Sequence, residues 1–159
     1  MEFQIIDYQP KYQPYFEKFN KAWLEEYFVV EPFDKWVLEN PYEALIKNGG
    51  KIYFAALGPT IVGTVALRFI EEGVYEMTKM AVDKAHRGAG AGQFLCQTAI
   101  DKARKMGVVK LVLWSNSVLK NAIHIYHKLG FTEIPVLPGT YERSDIMMEL
   151  SLNNKPNNN

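Results

Sequence analysis

The segment His86-Arg87-Gly88-Ala89-Gly90-Ala91-Gly92-Gln93 constrains this chain more than any other. Three glycines at alternate positions let successive backbone N–H groups turn inward with no side chain in the way. A helical pattern begins directly after them, with Leu95, Ala99, Ala103 and Met106 on one face and Gly107 at the expected stop. The dipole of that helix adds positive potential at its first turn, and Arg87 adds a fixed charge. Together they make a cradle for two linked phosphates; the plain alternative is a flexible turn between strand and helix. A nucleotide triphosphatase loop would need Gly-Lys-Ser or Gly-Lys-Thr, whereas Gln93-Phe94 follows Gly92. A G-x-G-x-x-G dinucleotide fingerprint would need glycine at position 93, and it would follow an early strand rather than lie past mid-chain. Both readings fail.

The surroundings of this turn follow from periodicity. Residues 12–28 place Tyr15, Phe16, Phe19, Trp23 and Tyr27 near helical spacing. Pro32 and Pro41 break the next stretch into short helices, and Gly49-Gly50 ends it. Ile52–Leu57, Ile61–Phe69 and Val74–Val82 predict three strands in an antiparallel meander, with Glu71-Glu72-Gly73 as the second turn. After the glycine turn and its helix come a buried strand over Lys110–Trp114 and a second helix marked by Leu119, Ala122, Ile123, Tyr126 and Leu129, closed by Gly130. Phe131–Ile134 and Asp145–Leu152 predict two late strands, with Pro135, Pro138 and Gly139 in the loop between them. The fold class is α+β: a mixed, mostly antiparallel sheet with helices on its faces. Residues 1–152 form one domain, and the polar tail NNKPNNN over 153–159 is expected to be disordered.

Composition narrows the function classes. The 159 residues are 48% apolar and 23% charged, enough for one domain with a real core. Eighteen basic residues balance eighteen acidic ones, which argues against a nucleic-acid partner. No apolar run approaches the ~20 residues that span a bilayer, so no membrane partner is expected. The N-terminus does not read as a secretory signal, and the simplest location is cytoplasmic. Cys96 is the only cysteine, which excludes an internal disulfide and a cysteine-rich zinc site. His124 and His127 lack a glutamate on their helix to complete a zinc motif, and no metal is expected.

The ordered set of motifs resembles the GNAT superfamily of acyl-CoA N-acyltransferases. Met80-Ala81-Val82-Asp83 followed by Arg87, Gly88, Gly90 and Gly92 is similar to the family's strand and pyrophosphate loop. Asn116-Ser117, Asn121-Ala122, Tyr126 and Leu129-Gly130-Phe131 are similar to its second motif. The likeness covers about residues 3 to 152. Trp23 through Phe28 and Gly49-Gly50 also resemble a bacterial subgroup.

That resemblance implies acetyl-CoA as co-substrate, with no metal, and an amine of a small molecule or peptide as acceptor. It implies a sheet whose strands splay apart to receive the pantetheine arm against the backbone of Met80, Ala81 and Val82. Amides from Arg87, Gly88, Ala89, Gly90, Ala91, Gly92 and Gln93 would hold the pyrophosphate. Asn116 and Asn121 would reach the arm or the 3′-phosphate region. Tyr126 matches the family tyrosine that protonates the leaving thiolate, its alternative being a core tyrosine. Glu76 stands where some members carry a general base, directly or through water, its alternative being an ion-pair partner. The oxyanion donor would be the N–H of Met80 or Ala81. Family members often pair as homodimers.

The acceptor end is less legible. Glu26, Tyr27 and Glu31, in a cluster with Glu25, Asp34, Trp23 and Phe28, offer carboxylates and aromatic faces to a cationic amine. Tyr141 and Arg143 could instead close over an acceptor carboxylate. Two functions compete: an N-acetyltransferase working by direct attack in a ternary complex, and a non-catalytic acyl-CoA sensor.

Overall fold

The computed structural model describes residues 2–137 and 141–152; the expected disordered tail over 153–159 lies outside them. Seven strands form one sheet in the order β1-β2-β3-β4-β5-β7-β6. They are β1 (Gln4–Asp7), β2 (Lys51–Leu57), β3 (Thr60–Glu71), β4 (Val74–Val82), β5 (Lys110–Ser115), β6 (Thr132–Ile134) and β7 (Ile146–Ser151). All neighbours run antiparallel except β4 and β5. The helices are α1 (Gln13–Tyr27), α2 (Pro32–Glu39), the single turn α3 (Pro41–Ala44), α4 (Ala91–Lys105) and α5 (Lys120–Lys128).

Strand alternation sends side chains to two cores, one on each face of the sheet. On one face Tyr53, Val65, Leu67 and Met77 meet Leu95, Ala99, Ile100 and Ala103 of α4. On the other, Ile52, Phe54 and Ala66 meet Phe16, Phe19 and Leu24 of α1 and Val37 and Leu38 of α2. Each fully buried Leu or Phe contributes about 1.5–3 kcal/mol over an exposed one. In α1 the buried stripe is Phe16, Phe19 and Leu24, while Tyr15 and Tyr27 are exposed. The short β1 has too few residues to show a period-2 pattern, and pairing with β2 alone defines it.

Two irregularities in the sheet create the site. The ladder between β4 and β5 holds only from Val74↔Lys110 to Glu76↔Val112. Beyond it both strands continue without pairing to each other, and the gap between them opens into a cavity. The second irregularity is a bulge in β4. Thr64 faces Ala81 and Ala66 faces Thr78, so β4 uses one residue more than β3 over the same span. Lys79 takes the extra step at φ 55. Glu76, Thr78 and Met80 therefore do not share a face, as uninterrupted alternation would require. Met80 packs with the α4 core, whereas Ala81 packs with the α1 core.

Candidate active site

The cavity between the splayed strands has a volume of about 540 Å³. One end is walled by Arg87, Gly88, Gly90, Ala91, Gly92 and Gln93. Here Gly90 caps α4 at φ 92, and Gly88 has φ 86, conformations that L side chains rarely adopt. A Cβ placed on either glycine would meet nothing within 4 Å. Their exposed backbone thus looks onto open space rather than onto packed protein. The first N–H groups of α4 have no intrahelical partner; the ladder starts where Phe94 N–H donates to Gly90 O at 3.0 Å. Such a turn fits an anion of diphosphate size. Ala89 does not line the cavity.

The middle of the wall comes from Met80, Ala81 and Val82 on one side and from Asn116, Asn121 and Tyr126 on the other. The Asn116 side chain is already engaged: its Nδ2 donates to Arg143 O at 2.6 Å, and its Oδ1 accepts from Val118 N–H at 2.9 Å. Its amide therefore ties the 143–145 segment to the end of β5, so the sequence expectation that it reaches a ligand would fall to its backbone alone. Asn121 sits in the first turn of α5. Tyr126 is half-buried, with its ring edge-on to Phe131 at 5.9 Å between centroids. Among the described residues no buried side-chain oxygen lacks a partner and no group hydrogen-bonds the Tyr126 hydroxyl, so that hydroxyl opens on the cavity. Burial, and secondarily the neighbouring Cys96, raise its pKa, so it stays protonated at neutral pH. Cys96 itself is enclosed in the α4 core with its thiol on Met77 Sδ at 3.7 Å, and burial pushes it up to about 12.

The other end is walled by Tyr27, Phe28, Lys79, Trp114, Tyr141 and Arg143. Behind it lies a buried ion cluster. Asp34, 0% exposed, receives Lys79 Nζ at 3.0 Å and both Nη atoms of Arg143 at 2.7 and 3.1 Å. Burial pushes the Asp34 carboxyl up, but the hydrogen bonds and charges of Arg143 and Lys79 outweigh it, and the net shift is downward. The Tyr141 ring lies against both cations, 4.6 Å from Lys79 Nζ and 4.8 Å from Arg143 Cζ. Among the described residues no Asp or Glu lines the cavity, whereas Lys79, Arg87, Lys120 and Arg143 do.

Three sequence expectations change here. Glu76 is 1% exposed, pairs with Arg68 Nε at 2.7 Å and does not line the cavity. Direct proton abstraction needs hydrogen-bond reach of the amine, and the burial of Glu76 outside the cavity wall argues against contact. Glu26 pairs with Arg87 Nη1 at 2.9 Å on the outside of α1 instead of meeting an acceptor. Glu31 is taken up by Arg143 Nη1 at 3.1 Å and by the backbone N–H groups of Glu142 and Arg143. Of the residues expected at the acceptor end, Trp23, Tyr27, Phe28 and Tyr141 line the cavity, whereas Glu25, Glu26, Glu31 and Asp34 do not. The ion-pair partner of Glu76 is Arg68, eight positions away on β3, and Lys79 pairs elsewhere. Its real partner, Asp34, is 45 positions away.

The pattern of the acetyltransferase (GNAT) family matches residues 9–131 of this sequence. The chain belongs to that family. An uncharacterized N-acetyltransferase of Methanocaldococcus jannaschii is 30% identical over 128 residues, covering 79% of this chain and 51% of that protein. The chain spans about half the length of the curated relatives it matches. A GNAT-family acetyltransferase of Staphylococcus aureus Mu50 superposes with a TM-score of 0.85 at 23% identity, over 95% of this chain and 99% of that one. A Salmonella typhimurium protein whose structure holds its cofactor acetyl-CoA gives 0.77 at 22% identity, over 100% and 99% of the two chains. These structures share the open seven-stranded architecture. No helix among the described residues is long and apolar enough to cross a membrane, and none of their acidic, histidine or cysteine side chains gather in threes to hold a metal.

Proposed function

We propose that this protein is an acetyl-CoA-dependent N-acetyltransferase acting on a primary amine of a small molecule or peptide by direct attack in a ternary complex. The observation that carries this reading is a single cavity joining the glycine turn to the free Tyr126 hydroxyl through the gap between β4 and β5. The turn around Gly88–Gln93 would hold the pyrophosphate, and the unpaired β4 edge at Met80–Val82 would receive the pantetheine arm as an added strand.

Acetyl-CoA, when bound, supplies the acetyl group as a thioester, whose C–S bond breaks as the amine nitrogen bonds to the carbonyl carbon. Tyr126, kept neutral by burial, gives its proton to the departing sulfur and regains one from solvent. The N–H of Met80 or Ala81, beside the bulge, would hold the oxygen that becomes negative. The amine must lose a proton to attack, and among the described residues no carboxylate lines the cavity to take it. It would leave through water, since Glu76 does not reach the cavity wall.

Calorimetric titration with acetyl-CoA, followed by thiol release with a broad amine panel, tests this reading. Tight binding with amine-dependent release is expected. Binding without turnover across the whole panel would make the protein a sensor instead, and no binding would refute the cradle.

A further inference from the structure

Four cations line a cavity with no acidic side chain in its described wall. Arg87 and Lys120 stand at the glycine turn and the start of α5, where coenzyme phosphates account for them. Lys79 and Arg143 stand at the opposite end, against α2, and the coenzyme leaves them unused.

Their present partners do not exhaust them. Asp34 is filled: Oδ1 accepts from Lys79 and Arg143, and Oδ2 accepts from Arg143 and from Glu31 N–H. Arg143 has five N–H donors, and three side-chain bonds go to Asp34 and Glu31. Lys79 uses one donor on Asp34 and a long contact of 3.5 Å to the Tyr141 hydroxyl. By this count Arg143 retains N–H donors beyond these bonds and Lys79 retains one, and both residues line the cavity whereas Asp34 and Glu31 do not. They are also nearly dry, with side-chain exposures of 3% for Lys79 and 16% for Arg143. Held by Asp34 and by the Tyr141 ring, they cannot swing away, and a guanidinium fork suits a planar oxyanion. Ordering two desolvated cations on a substrate wall repels a cationic group and favours an anionic one.

We infer that Lys79 and Arg143 receive a carboxylate of the acceptor. The amine acetylated then belongs to a molecule with a free carboxylate close to the reacting nitrogen, as in an α-amino acid. This rests on the acetyl-transfer reading above and specifies its substrate. The rings of Tyr27, Phe28 and Trp114 at the same end are placed to flank the remainder of such a molecule.

The test uses the whole protein with acetyl-CoA and a panel of α-amino acids, each beside its own carboxamide and its decarboxylated amine. Loss of charge-assisted hydrogen bonds predicts that the best acid exceeds its amide roughly ten- to hundredfold in kcat/KM, mainly through KM. Calorimetry with the coenzyme A complex should show the acid binding and the amide binding more weakly by a similar factor. Arg143→Gln and Lys79→Met should each pull that ratio toward one while leaving acetyl-CoA affinity unchanged, and Arg143→Lys should restore part of it. Should a variant fail to fold, the acid-to-amide ratio of the unaltered protein still decides. Amides or decarboxylated amines used as well as the acids would overturn the inference and leave acetyl transfer standing. Turnover of no panel member, with acetyl-CoA bound normally, would overturn the inference, and the broad amine panel above then decides acetyl transfer itself.

Discussion

At one end of the cavity main-chain groups do the holding; at the other, side chains from α2, β4 and the 141–144 segment do. The glycine end needs only what lies within a few residues: a turn with two positive-φ glycines and the start of a helix. The aromatic end needs Asp34, Lys79 and Arg143 to meet from positions 45 and 109 residues apart. A site made of backbone tolerates many side-chain changes but no bulky intrusion. A site made of paired charges depends on every member being present, because a buried ion left alone is far costlier than the pair.

The contrast can be broken first at Asp34. Asp34→Ala would leave Lys79 and Arg143 buried without their shared counter-ion, and a loss of roughly 3–5 kcal/mol in unfolding free energy is expected from urea denaturation. A loss below 1 kcal/mol would show the cluster to be ornamental. The same carboxyl sets an acid limit. Its folded pKa is lowered from 3.8, so its stabilisation is complete above that unfolded-chain value and disappears as pH falls below it through the folded one. Asp34→Asn should flatten the acid arm of a Tm-versus-pH curve.

Gly90→Asp attacks the other end. The added side chain has space in the protein, since no atom lies within 4 Å, so the fold should survive with a Tm drop equivalent to about 1–2 kcal/mol from the φ of 92. Acetyl-CoA affinity should fall by roughly a hundredfold or more, because the carboxylate would point where phosphate is expected. Normal affinity would disprove the cradle. Tyr126→Phe is the mildest change: kcat should fall by roughly ten- to hundredfold, at or below the lower range for general acids, with acetyl-CoA affinity intact. An unaltered rate would return Tyr126 to a packing role.

The same divide explains what the sequence could reveal. Gly88, Gly90 and the start of α4 are legible because their physics is local, and the start of β4 at Val74 is legible because the Glu71-Glu72-Gly73 turn sets it. A bulge in this strand is an open alternative to plain alternation, but its place at Lys79 is not legible, since lysine has no preference for φ 55 and the extra residue shows only against β3. Glu26, Glu31 and Asp34 read as a carboxylate cluster for an amine. Their actual partners, Arg87 and Arg143, come from distant segments that no spacing rule connects.

Cys96 has a practical consequence. With its one sulfur sealed in the α4 core and protonated up to about 12, the folded chain is silent to disulfide dyes at neutral pH. Colour appearing during turnover would then count departing coenzyme molecules one for one. Colour appearing slowly with no amine and no acyl donor would instead clock how often α4 lifts from the sheet.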